Sequence, residues 1–208
     1  KNTKAVKFRE EHLLKGILYS LYEFDHNPNY FHREKDKETL RYLVYILGTG
    51  FQCDNPEKLI LDVAYNVRMI NGSEASCIIL EVGKTLVPQS SKIKSDLICD
   101  LWVVISNPDM SRHGSINDLL EEVIQLFHQI DFADIHPNAK ELVCYYALCA
   151  LFFLKKPADF NDHLEKFIYP NVKHPELTDK IKLLLETPDD LIPKDMEIEM
   201  TSDCSDLP

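Results

Sequence analysis

The densest concentration of metal-binding side-chain types is Asp25-His26-Asn27-Pro28-Asn29-Tyr30-Phe31-His32. Two imidazoles and a carboxylate can fill three of the four tetrahedral positions that zinc prefers. Their spacing matches no established site, and the segment is read as a polar surface loop over 25–35 joining two helices. His128 with His136, and His163 with His174, are separated by loops and read as exposed or hydrogen-bonded histidines. Cys144 and Cys149 are about 140° apart on a helix, so they cannot chelate one ion from a single face. Both read as core. A nucleophilic cysteine needs a neighbouring base and a depressed pKa, and the sequence places no base beside either. Glu10-Glu11 and Glu121-Glu122 fall on polar helix faces, where acid–base chemistry lacks its apolar cleft. The chain has no glycine-rich phosphate loop, dinucleotide fingerprint, serine-nucleophile elbow or H-E-x-x-H pair. No catalytic residue, metal ligand or cofactor is therefore assigned. An all-α enzyme or metal-dependent regulator, with its site at loop 25–35 and His26 and His32 in it, stands as the alternative.

What the sequence offers instead is surface for a partner protein. Large aromatics with polar tips are favoured interface anchors, and Tyr30, Phe31, Tyr65 and Trp102 are the candidates, by groove or by loop docking. For Trp102 the sequence leans slightly toward the core. Beyond Pro188 apolar residues are scattered among acids, as in Leu191-Ile192 and Met196-Glu197-Ile198-Glu199-Met200. That pattern suits a short segment that orders on binding. Thr187 before Pro188 is a candidate phosphorylation site at a helix end.

These residues must be positioned by helices. Apolar residues recur with a period of about 3.6 through most intervals between prolines. In 115–130, Ile116, Leu119, Leu120, Val123, Ile124, Phe127 and Ile130 share one face, and Ser115 caps the start. The same reading predicts helices over 5–24 and 37–47, a third opened by Asn55-Pro56 and ended by Asn71-Gly72, and a fourth from Ser73 to Val87. The third and fourth form a tight hairpin, so Asn71-Gly72-Ser73 is read as a turn rather than a glycosylation acceptor. A fifth helix starts at Ser91 and ends before Asn107-Pro108. Asn138 with Glu141 caps a helix that is apolar on every side and must lie between neighbours. Shorter helices follow over 159–169 and 176–186. The fold class is all-α, with about nine helices stacked as antiparallel pairs.

Composition sets the remaining limits. The chain has 208 residues, 45% apolar and 27% charged, with only six glycines. Such a chain buries a full core without disulfides or a structural metal. Charge runs from +2 over residues 1–50, with nine basic against seven acidic residues, to −6 over 151–208, with seven against thirteen. The acidic half repels phosphate backbones, so nucleic-acid binding is disfavoured. The longest apolar run, Leu142 to Leu154, is too short for a hydrocarbon core of about 30 Å. Cysteines inside helical patterns, with no leader sequence, point to an intracellular protein whose compartment the sequence leaves open. Residues 1–187 read as a helical-repeat domain and 188–208, with a net charge of −6, as a disordered acidic tail.

A repeat connects the helices. Ile60-Leu61-Asp62-Val63 and Ile98-Cys99-Asp100-Leu101 match in type 38 positions apart, and the next buried helix, around Leu142-Val143-Cys144-Tyr145, follows about 44 later. On that spacing residues 5–187 resemble an armadillo or HEAT α-solenoid. Armadillo repeats commonly carry a Trp with an Asn four positions on; here Trp102 has Ser106 at that offset and Asn107 one step late. The resemblance implies a non-enzymatic interaction scaffold or adaptor, the C-terminal helical-repeat part of a larger intracellular protein. Residues 1–24, with the first helix over 5–24, would stack on upstream repeats or on a second copy.

Overall fold

The computed structural model describes residues 55–107 and 116–186. The expected helices over 5–24 and 37–47, the loop 25–35 with Tyr30 and Phe31, and the tail 188–208 lie outside the described residues. Among the described residues every regular element is helical: α1 (Pro56–Leu86), α2 (Ser91–Ser106), α3 (Ile116–Phe127), α4 (Pro137–Phe153), α5 (Pro157–His163), a π turn (Leu164–Ile168), α6 (Tyr169–Asn171) and α7 (Pro175–Glu186).

Local chemistry explains the boundaries. Asn55 Oδ1 accepts from the Lys58 N–H at 3.0 Å and Pro56 occupies the first turn, where its missing N–H costs nothing. α1 is two arms, 56–71 and 73–86, broken at Gly72 (φ 80°, ψ 177°), a conformation open essentially to glycine alone. The hairpin expected at Asn71-Gly72 is present: Ile60 of the first arm lies against Gly83 of the second. α2 is capped by Ser90, which accepts from the Ile93 N–H at 3.1 Å, one residue before the expected start. Ser91 is buried and accepts from the Asp131 N–H at 2.9 Å.

The cap expected of α4 is different. His136 Nδ1 accepts from the Asn138 N–H at 3.3 Å and Pro137 holds the first turn. Glu141 turns outward, where its Oε2 accepts from the backbone N–H groups of Lys173 and His174 at 2.9 and 2.8 Å. It thus ties the entry of α7 to α4 rather than closing a capping box. α4 ends at Phe153 with Leu154 as its C-cap, and Lys155 adopts the left-handed conformation (φ 53°) in the turn to Pro157. The single helix expected over 159–169 begins earlier, and its middle widens into the π turn.

Contacts between elements fix their directions. Glu57 lies beside Ser90 and Lys92, and Arg68 beside Asp96 and Asp100, so the first arm of α1 runs parallel to α2. Ser91 meets Asp131 and Lys94 meets Gln129, so α3 returns antiparallel. Trp102 packs on Tyr146 and Phe153, so α4 lies against α2, and Lys140 over the Phe132 ring with Glu121 beside Lys156 sets α4 antiparallel to α3 and hence parallel to α2. Phe160 on Phe152, and His163 on Cys144, bring α5 back down α4. The chain therefore alternates direction at each turn. The first arm of α1, α2 and α4 form one row, and the second arm, α3 and α5 return beside them.

At the centre is α4, which touches α2, α3, α5, the π turn, α6 and α7. Every residue from Val143 to Leu151 is buried, as an all-round apolar helix requires. An open stack of helix pairs leaves each helix an outward strip; α4 keeps none over this stretch.

Candidate functional site

The expected anchors separate sharply. Tyr65, on the first arm of α1, is 43% exposed, and Met69 one turn on is 69% exposed. The two lie i,i+4 on one face, bordered by exposed Asp62 and Asn66. Trp102 is 3% exposed: its ring stacks on Tyr146 at a centroid distance of 5.2 Å and 13° between planes, with Phe153 at 6.4 Å. It cannot meet a partner without displacing core. Tyr30 and Phe31 lie outside the described residues. Met69 is the residue that the sequence reading passed over, because a methionine at helical spacing looks like core; its separation by four from Tyr65 was the available signal.

Beneath that face lies a buried ion pair. Arg68 Nη2 donates to Asp100 Oδ2 at 2.9 Å while Nε stands 2.7 Å from Oδ1, and Asp96 approaches Nη2 to 3.7 Å at the rim. Asp100 is 2% exposed. Burial pulls the guanidinium toward neutrality, but Asp100 beside it more than offsets this and holds it charged. The repeat-matched Asp62, by contrast, points into solvent, so the two matched segments share helical placement but differ in side-chain environment.

The paired acids of α3 are ion-paired rather than merely solvated. Glu121 Oε1 meets Lys156 Nζ at 2.7 Å, and Glu122 Oε1 meets Lys84 Nζ at 2.6 Å. One residue therefore leans toward the α4–α5 turn and its neighbour toward the second arm of α1.

The thiols are inert by environment. Burial raises the pKa of Cys144 and of Cys149 to about 12, and pushes Cys77 well above the ordinary thiol range, so none is a thiolate near neutrality. The histidines also resolve into different settings: His128 and His174 are exposed, His136 is the cap of α4, and His163 is buried with Nε2 donating to the Cys144 carbonyl at 2.9 Å. Among the described residues no three His, Cys, Asp or Glu side chains cluster in a way that could hold a metal ion. No described helix is long and apolar enough to cross a membrane.

A groove of about 430 Å³ opens where α1 and α2 begin, lined by Asn55, Glu57, Gln89, Ser90, Lys92 and Asp134 among others. Several of its polar groups are already engaged: Ser90 donates to Glu57 at 2.6 Å, and the two helix starts are capped by Asn55 and Ser90. No family model, no curated protein and no solved structure matches this chain.

Proposed function

We propose that this chain is a non-enzymatic protein–protein interaction scaffold or adaptor, and that the outward face of the first arm of α1 takes a partner's apolar side chains. The observation that carries the reading is the pairing of Tyr65 and Met69, two large side chains one helical turn apart and both exposed. An aromatic with a polar tip beside an adaptable thioether is a composition favoured at recognition surfaces. The alternating rows of helices support a relationship to helical-repeat scaffolds, here gathered around α4 instead of drawn out into an open groove.

The test is affinity capture from cell extract with mass spectrometry, using residues 1–208, residues 1–187 and the full chain carrying Tyr65→Ala with Met69→Ser. The reading expects a partner retained by 1–187 and lost at least about tenfold by the double variant, at an unchanged Tm because exposed substitutions move stability by only about 0.5 kcal/mol. A partner lost with residues 188–208, or one indifferent to the double variant, overturns it. Trp102→Ala is the internal control: emptying so buried a site should cost about 3–5 kcal/mol whatever binds elsewhere.

A further inference from the structure

Three helical elements meet at His163, and a buried polar bond fastens the meeting point. The side chain is 3% exposed. Its ring lies 4.8 Å from the Phe127 ring of α3 and 5.0 Å from the Phe167 ring of the π turn, and those two rings meet edge to face at 4.9 Å. A carbonyl oxygen can only accept, so Nε2 carries the proton it gives to Cys144 of α4. The residue ends α5 at the point where the helix widens into the π turn, an arrangement rare in helices and frequent at functional sites.

We propose that His163 is an acid-sensitive latch, whose protonation frees residues 157–186 from α3 and α4. The neutral ring suits its seat, an aromatic pocket with one backbone acceptor. An imidazolium there would carry a full charge cut off from water, and release into solvent relieves it. The groups around the ring do not reverse this. From the turn that ends α3 the neighbour is His128, a second imidazole. From α4 the neighbours are the Cys144 carbonyl and thiol, with Lys140 and Glu141, of opposite sign, both facing Cys144. From its own helix comes Asp162, whose carboxylate is already shared with Lys166 at 2.8 Å.

The direction of the pH effect follows. Burial lowers the pKa of His163 below the free value of 6.5, the Cys144 carbonyl opposes this, and His128 adds to it. The folded chain binds the proton less readily than the unfolded one. The contribution of His163 to stability is therefore complete above pH 6.5 and is lost as pH falls through the lowered value.

Hydrogen exchange of the full chain, read by mass spectrometry at about pH 7.5 and about pH 5 and corrected for intrinsic rates, tests the latch. Protection over 157–186 should fall at least about tenfold relative to 137–153 on acidification. His163→Gln, whose amide donates to the same carbonyl and does not titrate, should hold its protection at both values. Loss spread evenly over all helices, no loss, or equal loss in His163→Gln overturns the proposal. Should the glutamine variant fail to fold, the wild type decides: opening must share its midpoint, within about half a pH unit, with the NMR titration of the His163 ring. A displaced midpoint overturns it equally.

Discussion

Gly83 and Ile60 touch without a side chain between them: a methyl group added at residue 83 would stand 2.5 Å from Ile60 Cγ2, closer than carbon atoms tolerate. Cγ2 is fixed to a branched Cβ and has little freedom to withdraw. Gly83→Ala gains about 1 kcal/mol of helix propensity and meets an overpacking cost of about 1–3 kcal/mol. The expected result is a net loss of about 1 kcal/mol in urea unfolding. In an Ile60→Ala background the clash disappears and the propensity gain remains, so a double-mutant cycle should return a coupling of about 2 kcal/mol. Gly72→Ala should cost about 1–3 kcal/mol as well, through its positive φ alone, since nothing lies within 4 Å of the added carbon. It should show no coupling to Ile60.

Arg68→Met leaves the Asp100 carboxylate buried without its counter-ion. Breaking such a pair from one side costs about 3–5 kcal/mol, and the quarter exposure of Arg68 places the expectation near the lower figure, about 3 kcal/mol. Replacing both partners, as Arg68→Met with Asp100→Leu, removes the stranded charge and should cost less than the single change. Guanidinium unfolding of the three variants checks the order. A double variant weaker than Arg68→Met would show that the pair stabilises beyond its own desolvation.

Thiol labelling offers a test of the interior. Cys144 and Cys149, raised to about 12 by burial, should resist iodoacetamide at pH 8 at least about a hundredfold longer than half-buried Cys99. Peptide mapping after timed labelling gives each rate separately. Comparable rates at Cys144 and Cys99 would mean that α4 is open to solvent.

Helix positions were legible in the sequence because they depend on local rules: the 3.6-residue period, Asn55-Pro56 at a start, and a glycine at residue 72 where the backbone leaves helical space. Caps were read less well. Asn138 with Glu141 has the spacing of a capping pair, yet His136 takes the cap because its ring reaches the same N–H, and Glu141 is drawn to the free backbone N–H groups of residues 173 and 174. That competition involves residues more than 30 positions away, which no local pattern encodes. The π turn was invisible for a similar reason, since it depends on packing of His163 and Phe167 against Phe127. Of the anchors, Tyr65 and Trp102 look alike in sequence as aromatics on amphipathic helices. Their difference in exposure comes from the first arm lying at the edge of the described helices while α2 lies against α4. Asp100 carried a readable sign, a charge set between Ile98 and Leu101 on an apolar helix, and a carboxylate in that position requires a cation from elsewhere.

The closure of α4 on every side has a consequence during synthesis. A ribosome delivers the chain from its N-terminus, so Val143 to Leu151 emerge before residues 157–186 that cover one flank. Until those residues arrive, the longest apolar stretch of the protein faces solvent on the nascent chain, open to chaperones and to other copies. A stop codon anywhere between 157 and 186 would make that interval permanent. Truncations in this window should therefore yield insoluble protein instead of a shorter folded one, unlike repeat arrays that tolerate the loss of a terminal unit.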